Sequence, residues 1–462
     1  MTSINTNEVS FKNSKKTYLY KQFIIFLFSL LPLSLILGNT AITLNIIIID
    51  LFFLFTCYHQ KKWSWIKNKY LYFFIFIWIY LILNSIISTN IFYTFDYIER
   101  HEVYPQKESL IRSIGFIRFI IFLFAVEYFF NNSKKFFNQI FLYWTIIIFI
   151  VLIDIIFERI FGFNLLGFES PSSHRIVSFF KDELVIGGFV LSFAFLISGF
   201  LFKLTKNDSK KKIFSNIFFC LSIICIYLSG ERSNFIKALI IASIILLLIN
   251  DAHIYIKKKY IFLVIIIGIA LPTLMSKDIY QRQIGFFKRI MLGVSATSIV
   301  YGGKNTFAVQ LYDQGSIHEK FGHLKHFVHY DTALQIIKDY PIFGIGNHNF
   351  RYICHDNKYS NDEMMLTNQR CSNHPHQVHL EILSEQGILG YLIIIFTIFY
   401  VLLNSYKVYR KTGDTIHLSS ILFVLIFFIP LLPSGGFFST FNASIFWINF
   451  SLAHAFLNKT NY

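Results

Sequence analysis

Long apolar stretches alternate along this chain with short polar connections, and the period of the alternation is close to the thickness of a bilayer. A helix needs about 20 residues to cross the hydrocarbon core, with a range of roughly 17–25. About twelve runs approach that length: 22–38, 40–58, 70–89, 113–130, 137–157, 184–203, 213–229, 235–250, 260–275, 387–405, 416–433 and 442–457. Tight turns at Gly38-Asn39-Thr40 and at Ser229 to Asn234 join two of the pairs. The fold class expected is an all-α polytopic membrane protein. One polar segment, about Ser276 to Gln386, breaks the alternation, and a connection of that length is usually functional. Within it, His323 to Asp339 has amphipathic helical spacing and stops at Pro341, and Tyr280 to Leu292 is a second candidate helix. The chain is therefore divided into an N-terminal bundle of about nine spans (1–275), a large loop (276–386) and three last spans (387–462).

Composition agrees with that pattern. The 462 residues are 55% hydrophobic and 15% charged, with a mean hydropathy of +0.54. Soluble chains carry about 25% charged residues. The net charge of +16 need not mark a nucleic-acid surface, because the cations fall in alternate connections. They are Lys12, Lys15, Lys16 and Lys21; Lys61, Lys62, Lys67 and Lys69; Lys134 and Lys135; Lys203, Lys206 and Lys210 to Lys212; Lys257 to Lys259; and Lys407, Arg410 and Lys411. Basic connections stay cytoplasmic. Both termini are then expected in the cytoplasm and the 276–386 loop on the outer side. The first run lacks a small-residue cleavage site and is expected to remain as a helix.

Chemistry concentrates between Cys371 and Gly390, CSNHPHQVHLEILSEQGILG, inside a loop that holds nine of the fifteen histidines. Pro375 suits the first position of a helix, with Asn373 or His374 as cap. His376, His379, Leu380 and Leu383 would then share one face. The stretch resembles the motif of bacterial O-antigen ligases and the related O-antigen polymerases: a His, then Asn, Ser or Gln, nine residues, then GxxG. Here these are His376, Gln377 and Gly387-Ile-Leu-Gly390. PIFGIGNHNF, Pro341 to Phe350, is similar to the segment preceding that motif in the same family. Gly344-Ile-Gly346 is no nucleotide loop, since it lacks the Lys-Ser/Thr of a P-loop.

The resemblance implies a GT-C-like membrane glycosyltransferase that uses no cofactor. The donor would be a glycan on undecaprenyl diphosphate and the acceptor a sugar hydroxyl on lipid A–core. Transfer would occur at the periplasmic face of the bacterial inner membrane, within lipopolysaccharide biosynthesis. His376 matches the family's essential histidine, and a neutral imidazole can take a proton from a hydroxyl. Glu385 matches the acid common before the glycine and is the second candidate catalytic residue, one that could orient a ligand or a histidine; His379 is a candidate substrate contact. Arg232 in SGERSN matches a Gly-x-Arg-Ser/Thr element, and Arg175 in SSHRIVSFFKDE and Arg351 after the glycine turn join it. Arginines from three connections on one side suit a diphosphate, which guanidinium binds through paired hydrogen bonds.

Other readings stay open at this level. Cys354 and Cys371 are most simply a disulfide on an oxidising face. Zinc held with His374 and His376 is the rival, although the spacing fits no common zinc module. Cys57, Cys220 and Cys225 fall in or beside spans and read as packing residues. A polymerase would run the same chemistry with a second lipid-linked glycan as acceptor. A transporter would instead depend on Asp50, Arg118, Glu127 and Asp154, which lie in apolar runs; structural pairing is the reading favoured for these four.

Overall fold

Backbone polar groups in hydrocarbon must be satisfied within their own segment, so apolar runs of this length become helices. The computed structural model describes residues 15–88, 105–132, 134–171, 174–181, 183–204, 208–249, 258–276, 279–280, 282, 294–301, 304–311 and 324–458. Lys12, Lys206, Lys257, His323 and most of the candidate helix Tyr280 to Leu292 lie outside them.

Each apolar run carries a helix over most of its length. α1 (Lys15–Ser29) and α2 (Leu31–Leu37) meet at a 45° bend, where Pro32 opens the second helix. α3 (Asn39–Gln60) and α4 (Lys69–Ile87) follow, and α5 (Pro105–Gly115) leads into α6 (Ile117–Asn132). Next come α7 (Lys134–Phe161), α8 (Ile186–Leu204), α9 (Ser209–Leu228), α10 (Arg232–Leu248) and α11 (Lys258–Met275). The long connection holds an antiparallel hairpin, β1 (Val294–Tyr301) with β2 (Lys304–Leu311), in register Val294 to Leu311. The amphipathic helix α12 (Lys325–Asp339) comes after it. The chain ends with α13 (Val378–Thr412), α14 (Thr415–Phe427) and α15 (Thr440–Ala455).

Among the described residues, 8 helices are long and apolar enough to cross a membrane, or up to 9 with the bent pair α1–α2. The remaining runs form shorter helices: α10 has 17 residues, α14 has 13 and α15 has 16. The run at 416–433 was expected to be helical throughout, but the helix stops at Phe427 and the chain proceeds without helix past Pro430 and Pro433. Proline lacks the N–H that a continuing helix needs.

α8 is the centre of the bundle, with 89% of its apolar window buried, against 11% for peripheral α11. It packs on α9 and α14. The approach to α14 is close at Gly199, where a Cβ would come within 2.6 Å of the Thr415 carbonyl. The charges inside the runs are accounted for unevenly. Glu127 lies 3.2 Å from His454, and Asp154 accepts from Leu165 N and Ser178 Oγ. Arg118 donates to the Gly115 carbonyl and lies over the Phe119 ring. Asp50 is buried and neither carboxylate oxygen accepts a hydrogen bond, but the Arg118 guanidinium is close enough to interact with its charge. Cys57, Cys220 and Cys225 are free and buried.

Candidate active site

The two motif segments form one backbone unit. α13 is broken at Gly387, whose φ of 65° and ψ of −175° fall in a region used essentially by glycine alone. A break in a helix orphans carbonyls before it and N–H groups after it. Pro341 to Gly346 supplies the partners. Ile345 N and Gly346 N donate to the Ser384 and Glu385 carbonyls at 3.0 and 2.8 Å. Ile388 N and Leu389 N donate to the Pro341 and Ile342 carbonyls at 2.9 and 3.3 Å. Gly390 lets the Tyr80 ring approach, since a Cβ there would lie 2.5 Å from it.

The N-terminal end of α13 differs from the expected one. The helix begins at Val378 and its cap is Gln377, whose side chain accepts from Leu380 N at 2.8 Å. Pro375 therefore precedes the helix, and neither Asn373 nor His374 caps it. His376 stands outside it with a φ of 58°, in the left-handed region where histidine is several-fold enriched. This conformation turns His376 away from the face of His379. Its ring meets those of His374, His326 and His329 at centroid distances of 4.3, 5.0 and 5.2 Å. Among the described residues, no hydrogen bond engages the His376 ring nitrogens. His326 and His329 come from α12, one turn apart.

These imidazoles are held neutral. Burial lowers the pKa of His376 to about 2, and the cluster's other histidines and Lys325 add to the effect. His374 is lowered to about 4, first by burial, with Arg351 contributing. His326 keeps an exposed edge, yet crowding by protein lowers it to about 4, with His329, Arg232, Lys325 and Arg175 adding to that. His329 is lowered too, chiefly by burial. Its Nδ1–H donates to the Arg370 carbonyl at 2.9 Å, which leaves Nε2, buried and without a partner, as the unprotonated nitrogen.

The arginines flank the cluster in two groups. On the His326 side, Arg175 lies 3.5 Å from Glu231 and donates to the Leu184 carbonyl. Arg232 opens α10, and its guanidinium reaches the Arg282 carbonyl at 3.4 Å. On the His374 side, Arg351 donates to His348 Nδ1 at 2.5 Å, and His348 Nε2 faces the Phe438 carbonyl.

Glu385, a candidate catalytic residue above, is buried beneath the glycine turn. Its oxygens accept the backbone N–H groups of His348 and Phe350 at 2.8 and 3.3 Å. Glu381, one turn earlier, accepts from Phe437 N at 2.7 Å. His379 is also taken up by protein. Nδ1 accepts from the Tyr391 hydroxyl at 3.0 Å, and Nε2 donates to the Phe428 carbonyl at 2.8 Å. Cys354 and Cys371 form a disulfide, which removes both thiolates from any zinc site.

Residues 217–395 match the family model described as O-antigen ligase. Over that segment the chain is similar to the O-antigen ligase/polymerase superfamily. No curated protein matches the chain. The O-antigen ligase segment takes in Arg232, His326, His329, Arg351, His376 and Glu385, so most of the site is drawn from it. Arg175 precedes the segment, and the Pro433 to Phe438 connection follows it.

That connection escaped the sequence reading, although its Pro and two Gly mark a tight turn. Gly436 lies against the His374 ring, where a Cβ would come within 3.1 Å, and Ser434 N donates to the His376 carbonyl at 2.8 Å. His326 and His329 were also missed, though their i, i+3 spacing on an amphipathic helix was visible. Lys237, buried in α10 below Arg232, was the third omission.

Proposed function

We propose that this protein is an O-antigen ligase-type glycosyltransferase that moves a glycan from undecaprenyl diphosphate to a sugar hydroxyl of lipid A–core. The observation that carries the reading is an unengaged imidazole, His376, set between two groups of arginine, with all but Arg175 in the segment that matches the O-antigen ligase model. All twelve runs would cross the inner membrane, with both termini cytoplasmic and the histidine cluster periplasmic. The three shorter helices would be sheltered within the bundle.

In this mechanism a His376 ring nitrogen takes the proton of the acceptor hydroxyl as its oxygen attacks the anomeric carbon. The bond from that carbon to the phosphate oxygen breaks, and undecaprenyl diphosphate leaves with the electron pair. Arg232, Arg175 and Arg351 offset the charge that develops on the leaving group, a form of stabilisation that is often the largest single contribution. Inversion at the anomeric carbon is expected. An imidazole held far below its ordinary pKa is a weak base. A bound diphosphate would raise it, because a nearby negative charge favours the protonated ring. The base would then be strengthened by arrival of the donor.

Polymerase activity is the second reading, favoured by the placement of Arg175 in a connection separate from Arg351. The surface polysaccharide of a deletion strain separates the two. Loss of a ligase leaves long glycans stranded on the polyprenyl carrier and lipid A–core bare, which is the expected pattern. Lipid A–core carrying a single repeat unit would identify a polymerase.

A further inference from the structure

One peptide group connects the arginine-bearing helix to the histidine. The Pro433 carbonyl accepts from Ser233 Oγ at 2.5 Å and from Lys237 Nζ at 3.3 Å. On the other side of the same peptide, Ser434 N donates to the His376 carbonyl at 2.8 Å. The peptide is a rigid plane, so its two ends move together. Donors on the oxygen, one of them an ammonium, polarise the group and strengthen the bond made by its N–H.

Each end of this arrangement is costly without the other. A lysine buried in an apolar helix is expensive and calls for a specific role. Glu231 faces the ammonium and offsets part of its charge. Ser233 alone could tie α10 to the connection, so neither charge balance nor docking explains why the ammonium is aimed at the Pro433 carbonyl. His376, for its part, holds a backbone conformation that a side-chain-bearing residue keeps only where its surroundings enforce it. Gln377 anchors the chain after His376, and the Ser434 bond anchors the carbonyl of His376 itself.

We infer that Lys237 and Ser233 are positioning residues for His376: they fix the Pro433–Ser434 peptide, and the peptide fixes the backbone that presents the imidazole. The inference rests on His376 acting as the base proposed above. It links the site's two halves, since Ser233 directly follows Arg232.

The test uses the full-length protein in lipid nanodiscs. Lys237→Met should lower kcat for transfer by about tenfold, the worth of one charge-assisted hydrogen bond. Donor KM should stay within about twofold, because no ground-state contact is removed. Ser233→Ala should act in the same direction, and Lys237→Arg should recover most of the loss. In a His376→Gln background, Lys237→Met should have no further effect. Hydrogen exchange at the Ser434 amide should be slow in the parent and fast in Lys237→Met, a readout that needs no activity. A raised donor KM with unchanged kcat would make Lys237 a diphosphate contact and overturn the inference. Unchanged protection of the Ser434 amide, or an undiminished effect of Lys237→Met without His376, would do the same. Full transfer by His376→Gln alone would remove the base, a failure of the earlier reading that is seen separately from the state of the tether.

Discussion

The Ile342 carbonyl oxygen occupies the space where a side chain on Gly387 would begin, 2.2 Å from an ideal Cβ. Gly387→Ala therefore meets both a backbone wall and a forbidden conformation. It is expected to cost about 3 kcal/mol or more, read as a lowered Tm of purified protein in detergent. Gly413 also has a positive φ, of 62°, but open space around it, so Gly413→Ala should cost only about 1–2 kcal/mol. Equal effects at the two positions would show that the docking of Pro341 to Gly346 on the break contributes little.

His376→Ala is expected to lower transfer by about 10²–10⁴-fold, the usual worth of a general base. Expression and Tm should change little, because the ring makes no hydrogen bond. A well-expressed variant with near-parental transfer would exclude His376 as the base.

The spans could be read directly because the requirement to satisfy backbone groups in lipid is local to each run. His376 and the arginines could be read because each lies in a short contiguous motif of its own. The helix start could not: Pro375 has the chemistry of a first helical residue, but the His376 carbonyl is held by Ser434, 58 positions away. The surroundings of Glu385 were hidden in a similar way: only the fold of Pro341 to Phe350 onto α13 shows that it receives two backbone N–H groups. The engagement of His379 could not be read either, because its partners, Tyr391 and Phe428, lie beyond the motif.

Arg232→Lys is expected to lower transfer at least about tenfold, since an ammonium keeps the charge but loses the planar fork that suits a diphosphate. The rate of glycan transfer at saturating acceptor is the measurement. Full activity in the lysine variant would reduce Arg232 to a general electrostatic role.

Replacing Cys354 and Cys371 by serine should destabilise the loop by about 3 kcal/mol on the chain-entropy account. It should also reduce transfer, because the closed loop carries the Arg370 carbonyl that sets the His329 tautomer. Thermal unfolding and transfer, each with and without reductant, would show both effects. Mass spectrometry of non-reduced peptides showing two free thiols would end the argument.

The pH profile should differ between free and donor-bound protein. In the free protein the His376 pKa is depressed to about 2, so the ring stays neutral as pH falls through 6.5. On kcat/KM for the donor, His376 should therefore impose no acid limb between about pH 5 and 7. With diphosphate bound the pKa rises, the ring is protonated at higher pH, and kcat should fall first. An acid limb at the same pH in both parameters would mean that the donor does not adjust the base.

From its cap at Gln377 to its break at Gly387, the first part of α13 is a rod of about 15 Å. Its length sets altitude and its winding sets compass bearing: one inserted residue would raise His376 by about 1.5 Å and swing it by about 100°. A polyprenyl anchor likewise fixes how far the reacting sugar stands above the lipid, because the growing chain extends away from the diphosphate. In the proposed reaction, rod and anchor are two gauges read from the same surface. Glycans of one repeat or of many then bring their reducing end to the same height, and the length of the polymer never enters the measurement.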